Sequence, residues 1–154
     1  MLGFGILYPK NLFYVIFKTG GSMDCLFCKI NDEIIPSKTL YEDDIVKVIM
    51  DIKPVSDGHL LVIPKIHIDD FLSLDESSIG YIFEITKKMK EHLYIVLEPD
   101  GLTLKVNYGI KQEIKHFHLH IIPVYKNKSS ISSLDLIYDK INKQINLSKL
   151  MNLE

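Results

Sequence analysis

Three histidines at alternate positions, His116, His118 and His120, constrain this chain more than any other feature. In a strand, successive side chains point to opposite faces. The three imidazoles would then share one face, with Phe117, Leu119 and Ile121 pointing into a core behind them. A rise of ~3.3 Å per residue sets neighbouring imidazoles about 6.6 Å apart. A lone histidine is more often a packed core residue. Three in strict alternation, backed by apolar anchors, form a reaction surface. Imidazole titrates near neutrality and serves as base, acid, nucleophile or metal ligand. Three imidazoles also suit a catalytic zinc with an open fourth position, so a covalent and a metal-dependent chemistry both remain open.

The surrounding pattern predicts an α+β fold: an antiparallel sheet, one long helix packed on it and an extra C-terminal helix. Residues 45–52 are β-branched and read as a strand. Residues 54–58 carry turn chemistry, and the apolar run 59–64 closes an antiparallel hairpin. Over residues 75–97, Ile79, Ile82, Phe83, Thr86, Met89, Leu93 and Val96 recur at helical spacing. Asp75 and Glu76 suit the start of that helix. A third strand is expected over 102–107 and a fourth over 113–122, ended by Pro123. Leu134, Ile137, Ile141 and Ile145 outline a terminal helix, whose stripe would dock on its own domain or on a dimer partner. The expected division is an extension over 1–22, a domain over 23–125 and a tail over 126–154. The extension is apolar but interrupted by Pro9, Lys10 and Asn11, so neither a membrane span nor a secretory signal is expected there.

With 154 residues, 47% hydrophobic and 25% charged, the chain suits one globular domain. A net charge of -2 offers no footprint for a nucleic-acid partner. All 18 basic residues are lysines. Phosphate recognition by a side-chain cation must therefore use a lysine point charge or a histidine, since no guanidinium fork exists. Two cysteines cannot build a secreted disulfide framework, which favours a reducing, cytoplasmic setting. Cys25 and Cys28 have the spacing of half a tetrahedral zinc site. A redox pair would want a βαβ pattern that the sequence lacks.

The run His116-Phe117-His118-Leu119-His120-Ile121-Ile122 resembles the His-x-His-x-His signature of the histidine-triad superfamily. The resemblance spans about a hundred residues from Cys25 to Pro123. It takes in Asp51-Ile52-x-Pro54 and the stretch Gly58-His59-Leu60-Leu61-Val62-Ile63-Pro64-Lys65-x-His67. It implies cleavage of a purine nucleotide at the α-phosphate, with His118 as nucleophile, His120 on the phosphate or leaving group and His59 in support. It further implies ribose contact by Asp51, a base flanked by Ile30, Ile49 and Ile52, and phosphate-side contacts from Asn107 and Gln112. Related branches imply a structural Zn²⁺ on Cys25, Cys28, His67 and His116, no organic cofactor, and a homodimer. Phosphoramidates and dinucleoside polyphosphates are the implied substrates of a hydrolase. A nucleotidyl transferase or phosphorylase, or a binding module with little turnover, are the alternatives. The chain departs from the pattern at Lys111, where glycine is usual, at Glu113, where a small polar residue is common, and at Val124, where arginine is frequent. These changes bear on phosphate grip.

Overall fold

The computed structural model describes residues 24–128 and 130–151, so the expected extension over 1–22 lies outside the described residues. Five strands form one antiparallel sheet: β1 (Thr39–Glu42), β2 (Val46–Met50), β3 (Leu60–Pro64), β4 (Gly101–Lys105) and β5 (Leu119–Val124). Their order is β1-β2-β3-β5-β4. The predicted hairpin is β2 with β3, in register from Val46 opposite Pro64 to Met50 opposite Leu60. Asp43 makes the preceding corner, accepting the N–H groups of Ile45 and Val46 at 2.7 and 2.8 Å.

Alternation along each strand separates two cores. Val46, Val48, Met50, Leu60, Val62, Phe117, Leu119 and Ile121 share one core with the helices. That face carries α2 (Glu76–Leu97) and α3 (Leu134–Met151). Asp75 is the N-cap of α2, its carboxylate accepting Ser78 N–H at 2.7 Å. The buried stripe of α2 is Ile82, Ile85, Thr86, Met89 and Leu93, so the expected apolar face is shifted. Ile79 and Phe83 are exposed, and Ile85 is buried in their stead. In α3, Ile137, Ile141 and Ile145 dock on this same core. The other sheet face packs Ile49, Leu61 and Ile63 against α1 (Leu26–Asn31), a short helix that the sequence reading did not anticipate.

The last two strands are displaced from expectation. β4 ends at Lys105, and its pairing with β5 stops where Lys105 faces His120. Residues 113–118 are therefore not strand, and His116 and His118 precede β5. The backbone there bonds elsewhere: Phe117 N–H donates to the Ile68 carbonyl at 2.6 Å. Pro123 does not end β5 but sits within it, opposite Leu102. β3 pairs with β5 only as far as Ile121, so Pro123 occupies the edge-like position that proline tolerates.

Candidate active site

His118 and His59 each have one ring nitrogen committed to a backbone group of fixed polarity, and those two bonds set the tautomers of the row. His118 Nδ1 lies 2.8 Å from the His116 carbonyl, which can only accept. The proton therefore sits on Nδ1, and the Nε2 lone pair is free to attack. Val55 N–H donates to His59 Nδ1 at 3.1 Å, so His59 carries its proton on Nε2. That Nε2–H faces His120 Nδ1 at 2.9 Å. His120 in turn keeps its proton on Nε2, a buried donor without a partner among the described residues. A lone pair on His118 and an unspent N–H on His120 thus stand side by side, with ring centroids 4.9 Å apart.

Burial favours the neutral form of these rings. Desolvation is the largest influence on His59, His118 and His120 and lowers all three pKa values. His120 falls furthest, to about 3, with His118 and His59 adding to the effect of burial. A neutral imidazole is what a nucleophile at His118 requires.

His59 is delivered by a turn that only glycine fits. Gly58 has φ +82°, and a Cβ there would lie 2.6 Å from Leu97 Cδ1 and 2.9 Å from Leu93 Cδ2. Asp51 stands on the same side, with Oδ1 accepting Lys53 N–H at 2.8 Å and Oδ2 3.4 Å from His59 Nε2. The expected phosphate-side residues are placed less simply. Gln112 is buried, its amide donating to the Asp69 carbonyl, while Asn107 is half-buried beyond the end of β4. Ile30 and Ile49 are buried together, and Ile52 is 76% exposed.

His116 points to different company. Its Nε2–H donates to the Pro64 carbonyl at 2.9 Å, leaving the Nδ1 lone pair facing Cys25 Sγ at 3.4 Å and Cys28 Sγ at 3.5 Å. His67 is oriented the same way: Asp69 accepts its Nε2–H at 2.8 Å, and Nδ1 lies 3.2 Å from Cys28 Sγ. The four donor atoms fall within 4.8 Å of one another. Tetrahedral zinc with bonds of ~2.3 Å to sulfur and ~2.0 Å to nitrogen has S···N edges of about 3.5 Å. The donor set and its spacing therefore fit a zinc ion. Burial pushes the Cys28 thiol up to about 12, reinforced by Cys25, so a thiolate at Cys28 needs a cation.

Phe27, inside the Cys-x-x-Cys turn, joins the two clusters. Its ring meets His118 edge-on at 4.8 Å and His116 at 5.8 Å. Sequence reasoning passed over it because an aromatic between two cysteines carries no signal of its own; only the fold sets it against the histidine row.

Comparisons with known proteins show the family. The HIT domain family matches residues 32–127. An uncharacterised HIT-like protein of Borreliella burgdorferi is 37% identical over 108 residues, covering 68% of this chain and 78% of that protein. Adenosine 5'-monophosphoramidase HNT1 of Saccharomyces cerevisiae is 33% identical over 130 residues, covering 77% of each. The crystal structure of a zinc-bound histidine triad family protein from Mycobacterium smegmatis superposes with TM-score 0.75 at 27% identity, covering 87% of this chain and all of that one. From the matched span, these identities and the histidine row, the chain belongs to the HIT domain family.

Proposed function

We propose that this protein hydrolyses purine nucleotides at the α-phosphate, through a nucleotidyl-histidine intermediate on His118. One observation carries the reading: the His116 carbonyl holds the proton on His118 Nδ1, so Nε2 is an unprotonated nucleophile beside the His120 donor. Attack forms a phosphorus–nitrogen bond as the bond to the leaving group breaks, and that group takes the electron pair. The His120 Nε2–H hydrogen-bonds to the phosphoryl oxygens as charge develops. His59 fixes which His120 nitrogen bears the proton and acts as a positioning residue. Water then attacks phosphorus, the bond to His118 breaks, and a nucleoside monophosphate leaves. The hydroxyl gained by that product and the proton gained by the leaving group both come from water.

Asp51, on the same side, would accept from the ribose hydroxyls. Ile30 and Ile52 would flank the base, and Asn107 and Gln112 would line the phosphate side. Phosphoramidates and dinucleoside polyphosphates are the substrate classes, the former also acted on by the yeast relative according to its name. Cys25, Cys28, His67 and His116 would hold Zn²⁺ as a structural ion that ties α1 to the segment before β5. With all four positions filled by protein, no step runs through the metal. A second copy of this chain is the expected partner, since β4 is an outer strand of the sheet, while α3 packs beside β1 at the other edge. No helix among the described residues is long and apolar enough to cross a membrane.

The test is a panel of adenylyl and guanylyl phosphoramidates and dinucleoside polyphosphates, with mass spectrometry of quenched protein. The expected result is turnover with a nucleotidyl adduct at His118, both lost in His118→Ala. Binding without turnover or adduct would overturn the reading in favour of a nucleotide-binding module. That alternative is favoured by one feature: the Gln112 amide is already committed to the Asp69 carbonyl.

A further inference from the structure

We propose that Lys105 is a specificity-determining residue that steers the site toward leaving groups bearing negative charge. The inference rests on the hydrolytic reading above and adds a substrate preference to it. Lys105 lies directly opposite His120 across the β4–β5 pairing, so the two side chains share a sheet face. It is exposed at the end of β4. Its ammonium makes no ion pair or hydrogen bond among the described residues, unlike several other lysines of the sheet and tail. Lys47 is buried and donates to the Ile30 carbonyl at 3.0 Å, Lys65 pairs with Glu42, and Lys128 pairs with Asp57. The field of Lys105 also reaches His59 and His120. In a chain without arginine, a lysine is the only cationic side chain besides histidine that can meet a phosphate there, and the strand register sets Lys105 beside His120.

The same face continues past that pair into a cleft. Thr103 and Ile122, the next inward pair, and Val124 line a 550 Å³ cavity with Val55, Ser56 and Lys128. Lys105 and His120 do not line it but are the adjoining pair on the same face, so a leaving group departing over His120 toward it would pass Lys105. When a phosphoanhydride breaks, the bridging oxygen takes the electron pair and the departing polyphosphate gains one negative charge. Lys105 opposes that charge without any proton transfer. When a phosphoramidate breaks, the departing nitrogen takes a proton from water and ends as an amine, which a nearby ammonium does not help. The charge on Lys105 therefore discriminates between the two reactions while the adenylyl half is the same.

The experiment measures kcat/KM for a diadenosine polyphosphate and for an adenosine phosphoramidate with wild type, Lys105→Met and Lys105→Arg. The anhydride-to-phosphoramidate ratio should fall about 30-fold in Lys105→Met, less than the ~10²–10³ of a buried oxyanion donor because the lysine is solvated. Lys105→Arg should restore most of the ratio, and raising salt should lower it in wild type but not in Lys105→Met. An unchanged ratio in Lys105→Met overturns the proposal. If wild type turns over neither substrate and forms no adduct at His118, the hydrolase reading fails separately. Lys105 is then judged by binding: the ratio of ATP to AMP affinity should fall in Lys105→Met, and an unchanged ratio overturns the proposal.

Discussion

His116 and His118 are two residues apart and both buried, yet their free nitrogens face different worlds. His116 gives its Nε2–H to the Pro64 carbonyl and turns Nδ1 toward two sulfurs. His118 gives its Nδ1–H to the carbonyl of His116 itself and leaves Nε2 for chemistry. The ring is the same in both; the backbone acceptor differs. The lesson is that a histidine row divides labour by which carbonyl each ring can reach, and the tautomer follows. Phe27 lies against both rings and is the physical link between the two clusters.

The sharpest way to break this division is to remove each side and read the other. Alanine at His118 should abolish the adduct and cut kcat/KM by at least about 10³-fold while the melting temperature stays near wild type. Next in size is His59→Ala. His120 would lose the partner that holds its proton on Nε2, and kcat should drop ~10²-fold, the lower end for a positioned proton donor. Pre-steady-state quench separates adduct formation from its breakdown and would locate the defect. If His118→Ala unfolds the protein, or His59→Ala leaves kcat untouched, the chemical side is not what its tautomers imply.

The metal side should answer in stability instead. Cys28→Ser, or a strong chelator, should release about one equivalent of zinc and lower stability by ~2–4 kcal/mol. That is well below the free energy of zinc in a finger peptide, because this domain has a core of its own. Turnover measured well below the lowered melting temperature should change less than about threefold, the residue of a loosened Phe27 contact. A protein purified with reduced thiols and no metal would remove the basis of the comparison. A comparable loss should follow Gly58→Ala, roughly 2–3 kcal/mol, from positive φ and the collision with Leu97 and Leu93. Its chemistry should suffer too, because the same turn delivers His59.

Which parts of this were legible beforehand follows from the range of each interaction. The hairpin, α2, α3 and the alternation of His116, His118 and His120 against Phe117, Leu119 and Ile121 are periodic, so they show in the chain itself. The end of β4 at Lys105 does not. It depends on where the Phe117 N–H finds an acceptor, and Ile68 is 49 residues away in sequence. The gathering of His67 with Cys25, Cys28 and His116 was readable only by resemblance, since no local spacing joins residues so far apart. Ile79 and Phe83 misled for a related reason: helical period names a stripe, but the sheet and α3 choose which edge of it they cover. That a backbone carbonyl can hold the His118 tautomer is expected of any such row, but which groups do so, the carbonyls of Pro64 and His116 and the N–H of Val55, only the fold decides.

The smallest expected effect concerns the tail, and it tests whether residues after β5 belong to the site's scaffold. Asp57 is 2% exposed in the turn that also carries Gly58, and it binds the tail. Its carboxylate pairs with Lys128 and accepts Ser132 N–H at 2.7 Å, while Tyr125 OH donates to its carbonyl at 2.8 Å. Burial alone would raise its pKa, but Lys128 and Ser132 outweigh that and hold it below the ordinary carboxylate range. A folded-state value below the unfolded one stabilises the protein at all pH above about 4, and that contribution is lost as pH falls through the folded value. Thermal melts between pH 6 and pH 3 should therefore show a steeper acid limb in wild type than in Asp57→Asn. Because Lys128 is partly solvated, the difference at neutral pH should be about 1 kcal/mol. Identical acid limbs would mean that the tail merely lies beside the turn that presents His59.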